Sequence, residues 1–454
     1  MPLEKRQVAI VGAGLAGLTA ARELLHSGVD SVVVLEARDR VGGRTLNQPL
    51  PGGAIVEGGG EYAGPTQTAV LALAEDLGMQ TFPTYSEGQT VYHLGGSRWT
   101  APDLGVDAAL APGTPGAKLD ALAPEVPIER PWDAPQAALW DRMTVEDWLL
   151  EQGISSGERL LVEMATAATL GVMPRELSLL WFLFYIRSSG GLRDLLSTQD
   201  GAQDRRFVGG SQMISRLMAD ELGDKLRLAS PVRRVSGWRG GPVLVECDGA
   251  SFEADRLIVA MMPRDADRIT FDPPLPSPRA SLQSRWDAAS LSFKAQLVYD
   301  TPFWREDGLS GQVISDKEPQ VTFDNSPPEG TPGVLLAFVD PRQVSGSPDV
   351  RRDWLAERVA AYFGEKASHP IGYIECNWHE DGWTAGCVSP LSPGVLRPLG
   401  PALTEPCGVV HWAGTETSAI WNGYMDGAVR SGKRVALEVA AFLRGESFPT
   451  GSLG

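Results

Sequence analysis

Apolar positions follow two periods along this chain. Near the front, residues 7–11 and 32–35 are short unbroken apolar runs, the mark of parallel strands buried on both faces. Between them, residues 18–27 carry alanine and leucine at helical spacing and stop at Gly28, a natural helix terminator. Strand, helix and strand make a βαβ unit. Helical spacing returns at 67–77, 144–151, 157–169, 177–186, 212–222 and 354–363, and over a long last stretch at 423–443. Thr144 followed by Asp147 carries a helix-start signature. Strand-like runs occupy 226–228, 231–235, 243–247, 256–260, 292–299 and 409–413. The glycine-rich stretch 49–64 reads as loop. Segment 80–135, broken by proline and glycine, reads as irregular. The proline-rich stretch 272–278 is a natural boundary.

Length and charge narrow the class. A single core stops growing at about 250–300 residues, so 454 residues imply two intertwined domains. With 43% hydrophobic and 21% charged residues there is ample area to bury, which excludes a disordered chain. A net charge of −17 argues against nucleic acid as a partner and would gather small cations. Cys247, Cys376, Cys387 and Cys407 form no CxxC pair, and residues 1–7 are polar and run straight into a strand. These features predict a reduced, cytoplasmic chain without a secretory leader. The longest apolar run, 177–186, is short enough to be a buried helix. His26, His93, His369, His379 and His411 lack metal-ligand spacing, so no metal centre is expected.

The chemistry begins at residues 12–17, a G-x-G-x-x-G between strand and helix. Gly12 permits the tight turn, Gly14 lets a pyrophosphate approach the backbone, and Gly17 lets the helix pack close to the strand. The helix N-terminus supplies N–H groups for phosphate. Glu36 ends the second strand at the distance where a carboxylate takes ribose hydroxyls. To this point NAD and FAD fit equally. The chain then continues Arg38-Asp39-Arg40-Val41-Gly42-Gly43-Arg44. A Gly-Gly turn sets backbone donors beside an anion, and Arg44 can neutralise it. Near the far end, residues 412–417 read W-A-G-T-E-T and 421–428 read W-N-G-Y-M-D-G-A: strand, glycine turn, loop and a glycine-led helix.

This pairing of motifs resembles the flavin amine oxidases. The runs at 64–67, 180–182, 206–210, 273–276 and 302–304 carry the resemblance to the monoamine oxidases across nearly the whole chain. The resemblance implies an α/β fold: a discontinuous Rossmann-like FAD domain (1–78, 208–278, 381–454) and an α+β substrate domain with a mixed sheet (79–207, 279–380). Besides the residues above, it assigns Val232, Trp378, Gly414, Thr415, Glu416 and Met425 to the cofactor. It implies that Cys387 joins the flavin 8α-methyl by a thioether, a bond a thiolate suits. It implies that Lys294 holds a water at flavin N5 and assists reoxidation. In the family two aromatic rings frame the amine. Tyr424 matches one, whereas Val388 stands where the other belongs. Tyr62, Phe182, Leu196 and Gln203 match substrate-pocket positions, Leu196 as a gate and Gln203 as an orienting amide.

The implied activity is oxidation of a primary or secondary amine to an imine, with O2 reduced to hydrogen peroxide. Rival readings on the same scaffold are a polyamine, amino-acid or cyclic alkaloid amine oxidase. An amino-acid substrate needs a pocket arginine, and a diamine needs an acid at the far end of the cavity. A flavin-binding protein without turnover and a membrane-bound desaturase are further alternatives. Eukaryotic monoamine oxidases continue into a membrane anchor. Here a short polar tail ends at Gly454, so no anchor is expected, and the resemblance allows a homodimer.

Overall fold

The structure, a computed structural model, describes residues 3–50, 53–103, 105–287 and 292–446. Met1 and Pro2 and the tail at 447–454, which bear on the leader and anchor expectations, lie outside the described residues.

The opening strand is longer than its apolar run. Leu3–Val11 lies parallel to Ala250–Ala260 along its whole length, so backbone pairing carries it through the polar residues before Val8. Its other edge pairs in parallel with Val32–Leu35, and Val410–Ala413 adds in parallel to Ala250–Ala260. With Thr270–Asp272, Val232–Ser236, Val243–Cys247 and Leu226–Arg227 these strands form one eight-stranded sheet. Successive side chains leave a strand on opposite faces. Val8 and Ile10 therefore enter one apolar cluster, and Ala9 and Val11 enter another across the sheet.

The helices Leu15–His26 and Met425–Leu443 share the first cluster. They touch at Gly432, where a Cβ would stand 2.5 Å from the Ala16 carbonyl oxygen and 2.8 Å from Thr19 Cβ. The first and last helices of the chain thus pack backbone to backbone.

A second, seven-stranded sheet runs in the order Gly372–Cys376, Phe293–Tyr299, Gly333–Val339, Val321–Asp324, Leu309–Ser315, Gln89–Leu94, Ser97–Ala101. Its pairs are antiparallel except Leu309–Ser315 with Gln89–Leu94. Helices between 115 and 196 form a third layer around Trp181 and Trp286.

Three expectations need correcting. Segment 80–135 is not irregular: it holds Thr81–Pro83, Gln89–Leu94, Ser97–Ala101 and the helix Pro115–Leu122. The loop at 49–64 contains half of a small hairpin, Asn47–Pro49 with Ile55–Glu57. The helix placed at 354–363 begins at Pro348, capped by Ser347, because its first turns are polar and carry no apolar period. The capping box of Thr144 and Asp147 forms as its sequence predicts.

Candidate active site

A cavity of about 990 Å³ is lined from both sheets and from the helical layer. That is the upper end of the range for small-molecule sites. One end lies at the carboxyl ends of the parallel strands Leu3–Val11 and Val32–Leu35, where open α/β sheets take their ligands. Gly12, Gly14 and Glu36 line it there, while Gly17 sits beneath, where a Cβ would meet the Gly12 carbonyl oxygen. Glu36 is buried, and its two oxygens accept from Ala13 N at 2.8 Å and Arg38 N at 2.9 Å. It stitches the glycine loop to the second strand while bordering the cavity.

The arginines after Glu36 are structural partners, and Arg38 and Arg44 are cavity walls as well. Arg38 pairs with Asp381 and donates to Thr384 Oγ1 at 2.7 Å. Arg40 donates to the carbonyls of Val41, Gly43 and Thr45, which holds the Gly42-Gly43 turn. That turn lies against the first glycine loop: a Cβ on Gly43 would stand 3.3 Å from Gly14 Cα. Such a bare backbone cradle accepts a pyrophosphate and nothing with bulk on the protein side. Arg44 faces the cavity and pairs with Glu416 at 2.8 Å, while its Nη1 donates to the Cys387 carbonyl at 3.0 Å. Val232 and Arg233 close the same end.

The rear motif arrives beside it. Val410–Ala413 ends at Gly414, and Thr415 donates its hydroxyl to the Tyr424 carbonyl at 2.7 Å. Asn422 donates to the Glu416 and Ser418 carbonyls, and Trp421 N donates to the Ser188 carbonyl. Tyr424 caps Met425–Leu443, so the positive end of a 19-residue helix meets the cavity at Met425.

Beyond this point the walls turn aromatic. Tyr62, Tyr185, Tyr424, Phe323 and Phe338 line the cavity with Cys387 and Val388. Tyr424 and Tyr185 lie with centroids 6.0 Å apart, and Trp421 backs Tyr424 edge-on at 4.9 Å. Burial pushes the Tyr424 phenol up to about 12 against a hydrogen bond with Tyr185, so the ring stays neutral. Burial also pushes the Cys387 thiol up, and the cations of Arg44 and Lys294 pull it back. Lys294 enters from the strand Phe293–Tyr299, which has partners on both sides, so it is no edge-strand lysine. Its Nζ donates to the Gly59 carbonyl and pairs with Glu61, both at 2.7 Å. Leu196 and Gln203 line the outer part, with Gln203 Nε2 donating to the Leu195 carbonyl at 3.2 Å.

Besides Gly17, three site residues expected from sequence stand off the wall. Phe182 points into the helical core, and Tyr185, three residues on, faces the cavity instead. Trp378 is buried behind it and donates to the Gly58 carbonyl at 3.0 Å. Glu416 reaches the cavity only through Arg44. Conversely, Glu61, Tyr185 and Glu318 line it without having been singled out. Tyr185 hides in an unbroken apolar run. Glu61 is a lone carboxylate after three glycines, and Glu318 follows no motif. Glu318 borders the outer cavity with Arg342; its carboxyl accepts from Asp340 N at 2.7 Å, and burial pushes it up to about 7.

Among the described residues no cluster of His, Cys, Asp and Glu could hold a metal ion, and no helix is long and apolar enough to cross a membrane. The model of the flavin-containing amine oxidoreductases matches residues 15–440. A Mycobacterium tuberculosis protein described as a flavin-containing monoamine oxidase, AofH, is 42% identical over 96% of this chain and 97% of its own. Human amine oxidase [flavin-containing] B is 34% identical over 96% of this chain and 86% of its own. Among solved structures, a double mutant of putrescine oxidase from a redesign of cofactor binding superposes with a TM-score of 0.91 at 35% identity, covering 97% of this chain and all of that one. The cyclohexylamine oxidase of Brevibacterium oxydans gives 0.90 at 34%, covering 97% and 99%. The chain belongs to the flavin-containing amine oxidoreductases and is an amine-oxidising flavoenzyme.

Proposed function

We propose that the chain is an FAD-dependent oxidase of primary or secondary amines that reduces O2 to hydrogen peroxide. For a primary amine the balance is amine, dioxygen and water giving a carbonyl compound, ammonia and hydrogen peroxide, one molecule of each. The observation that carries this reading is the continuity of the cavity: one space joins the dinucleotide cradle at Gly12, Gly14 and Gly43 to the aromatic walls at Tyr62 and Tyr424. When bound, the flavin would accept the hydride from the carbon next to nitrogen and pass two electrons on to O2.

Each residue has a task in that scheme. The glycine turns and Arg44 would hold the phosphates, and Glu36 would border the ribose. The helix N-terminus at Met425 would favour negative charge on the ring system. Tyr424 and Tyr185 give the amine a dry slot, and Gln203 presents its amide to orient it. Lys294 places a cation where negative charge develops on oxygen. Cys387 would form the thioether; burial disfavours the thiolate that it needs, and Arg44 and Lys294 offset part of that cost. Purified protein carrying FAD should release peroxide from some member of a broad amine panel; silence across the panel would refute the reading.

One observation favours a narrower substrate. Glu318 is a partly buried carboxyl on the outer wall, where the second nitrogen of a diamine would rest. Diamines should then compete well with monoamines of equal length. Equal KM values for matched pairs would remove this second reading.

A further inference from the structure

Lys294 does not stand alone. Its ammonium meets a carboxylate that is wholly buried, with Glu61 at 0% side-chain exposure and Lys294 at 10%. The lysine gives one hydrogen bond to Glu61 Oε1 and one to the Gly59 carbonyl, both at 2.7 Å, and lies between the Tyr62 and Phe338 rings at 5.9 and 6.0 Å. Glu61 is fixed in turn: Asn325 Nδ2 donates to its second oxygen at 3.1 Å and to Gln296 Oε1 at 2.8 Å, and Gln296 donates to the Glu57 carbonyl at 3.1 Å. Behind this chain a second buried pair, Arg206 with Glu57 at 2.7 Å, closes the charge balance. The two pairs differ in one respect. Lys294 and Glu61 line the cavity, and Arg206 and Glu57 do not.

We propose that Glu61 is a positioning residue for Lys294: its buried carboxylate pins the ammonium on the cavity wall, and the pair acts in the oxidative half of turnover. A lysine has a long, freely rotating stem, and a cation helps developing charge on oxygen only if it is held in place beforehand. Hydrogen bonds to Glu61, to the Gly59 carbonyl and, at 3.5 Å, to the Glu57 carbonyl remove that freedom. A buried pair of this kind contributes little net stability, so its position on the cavity wall points to function.

The inference rests on the proposed role of Lys294, and the test separates the two. Reduction by amine without oxygen and reoxidation by O2 are timed separately for the holoenzyme, Glu61→Gln, Lys294→Met and the double variant, and the flavin midpoint potential of each is measured. Glu61→Gln should slow reoxidation about tenfold or more while reduction changes far less. The double variant should reoxidise no more slowly than Lys294→Met, because Glu61 acts through the lysine. Removing the carboxylate should raise the midpoint potential, removing the ammonium should lower it, and removing both should return it toward the parent. Should Glu61→Gln fail to fold with an uncompensated cation, the neutral double variant compared with Lys294→Met carries the same test. Additive slowing, or potentials that move together or not at all, would overturn the proposal. Normal reoxidation in Lys294→Met would instead remove the oxygen role of the lysine.

Discussion

Glu318 is a carboxyl that changes charge near neutral pH. Burial lifts it to about 7, so within the folded protein it holds its proton longer than in the unfolded chain. Its contribution to stability is therefore complete below the ordinary carboxylate range and is lost as pH rises through about 7. A cation docked beside it reverses the preference. For a diamine, KM should fall as pH rises through about 7, a matched monoamine should lack that step, and Glu318→Gln should erase the difference. Cys387 makes the other sharp residue-level prediction: acid-precipitated parent protein should keep its yellow colour, and Cys387→Ala should release it to the supernatant, whereas colour in the parent supernatant rules the thioether out. Lys294, Cys387 and Tyr424 could be placed on the cavity wall from sequence because each sits in a short motif resembling the family's. Glu61 could not be joined to Lys294 in that way. The two are far apart in the chain, and only the fold brings the strand Phe293–Tyr299 beside the 57–61 segment.

Elements were legible where the local pattern is distinctive. The front strands show as unbroken apolar runs, the first and last helices by their apolar stripe, and the helix after Thr144 by its capping box. The strands Leu309–Ser315 and Val321–Asp324 escaped because polar Ser310, Ser315, Thr322 and Asp324 hold buried positions, and Gly333–Val339 because an apolar run buried almost throughout does not by itself separate strand from buried helix. Long-range capping was equally hidden. Asp426, fully buried near the start of the last helix, accepts from Ala69 N and Val70 N and so caps Thr68–Asp76, and it pairs with Arg430 at 2.6 Å. Asp426→Ala should cost about 2–3 kcal/mol in urea unfolding, since cap and ion pair go together. Gly432→Leu should cost about 3 kcal/mol or more through the clash with Ala16, and it should loosen flavin binding with it.

At the scale of the molecule, the charge of −17 acts on a cationic substrate before any contact is made. The field should steer amines inward, so kcat/KM should fall as salt rises, and a flat salt profile would show that the charge serves solubility alone. The division of labour was also visible at this scale. Glycine motifs at both ends of the sequence announced the cofactor, because phosphate binding needs particular backbone turns. The amine slot did not announce itself, because neutral aromatic walls can be built from many positions, and Val388 shows that one expected ring is dispensable to the fold.

The contact of the first helix with the last, at Ala16 and Gly432, also sets a clock. Synthesis runs from the amino end, and the βαβ unit emerges hundreds of residues before the strand and helix that complete its sheet and cradle. Cofactor loading should therefore wait until residues 410–443 have been made, and a chain cut before Val410 should emerge colourless however intact its glycine loop.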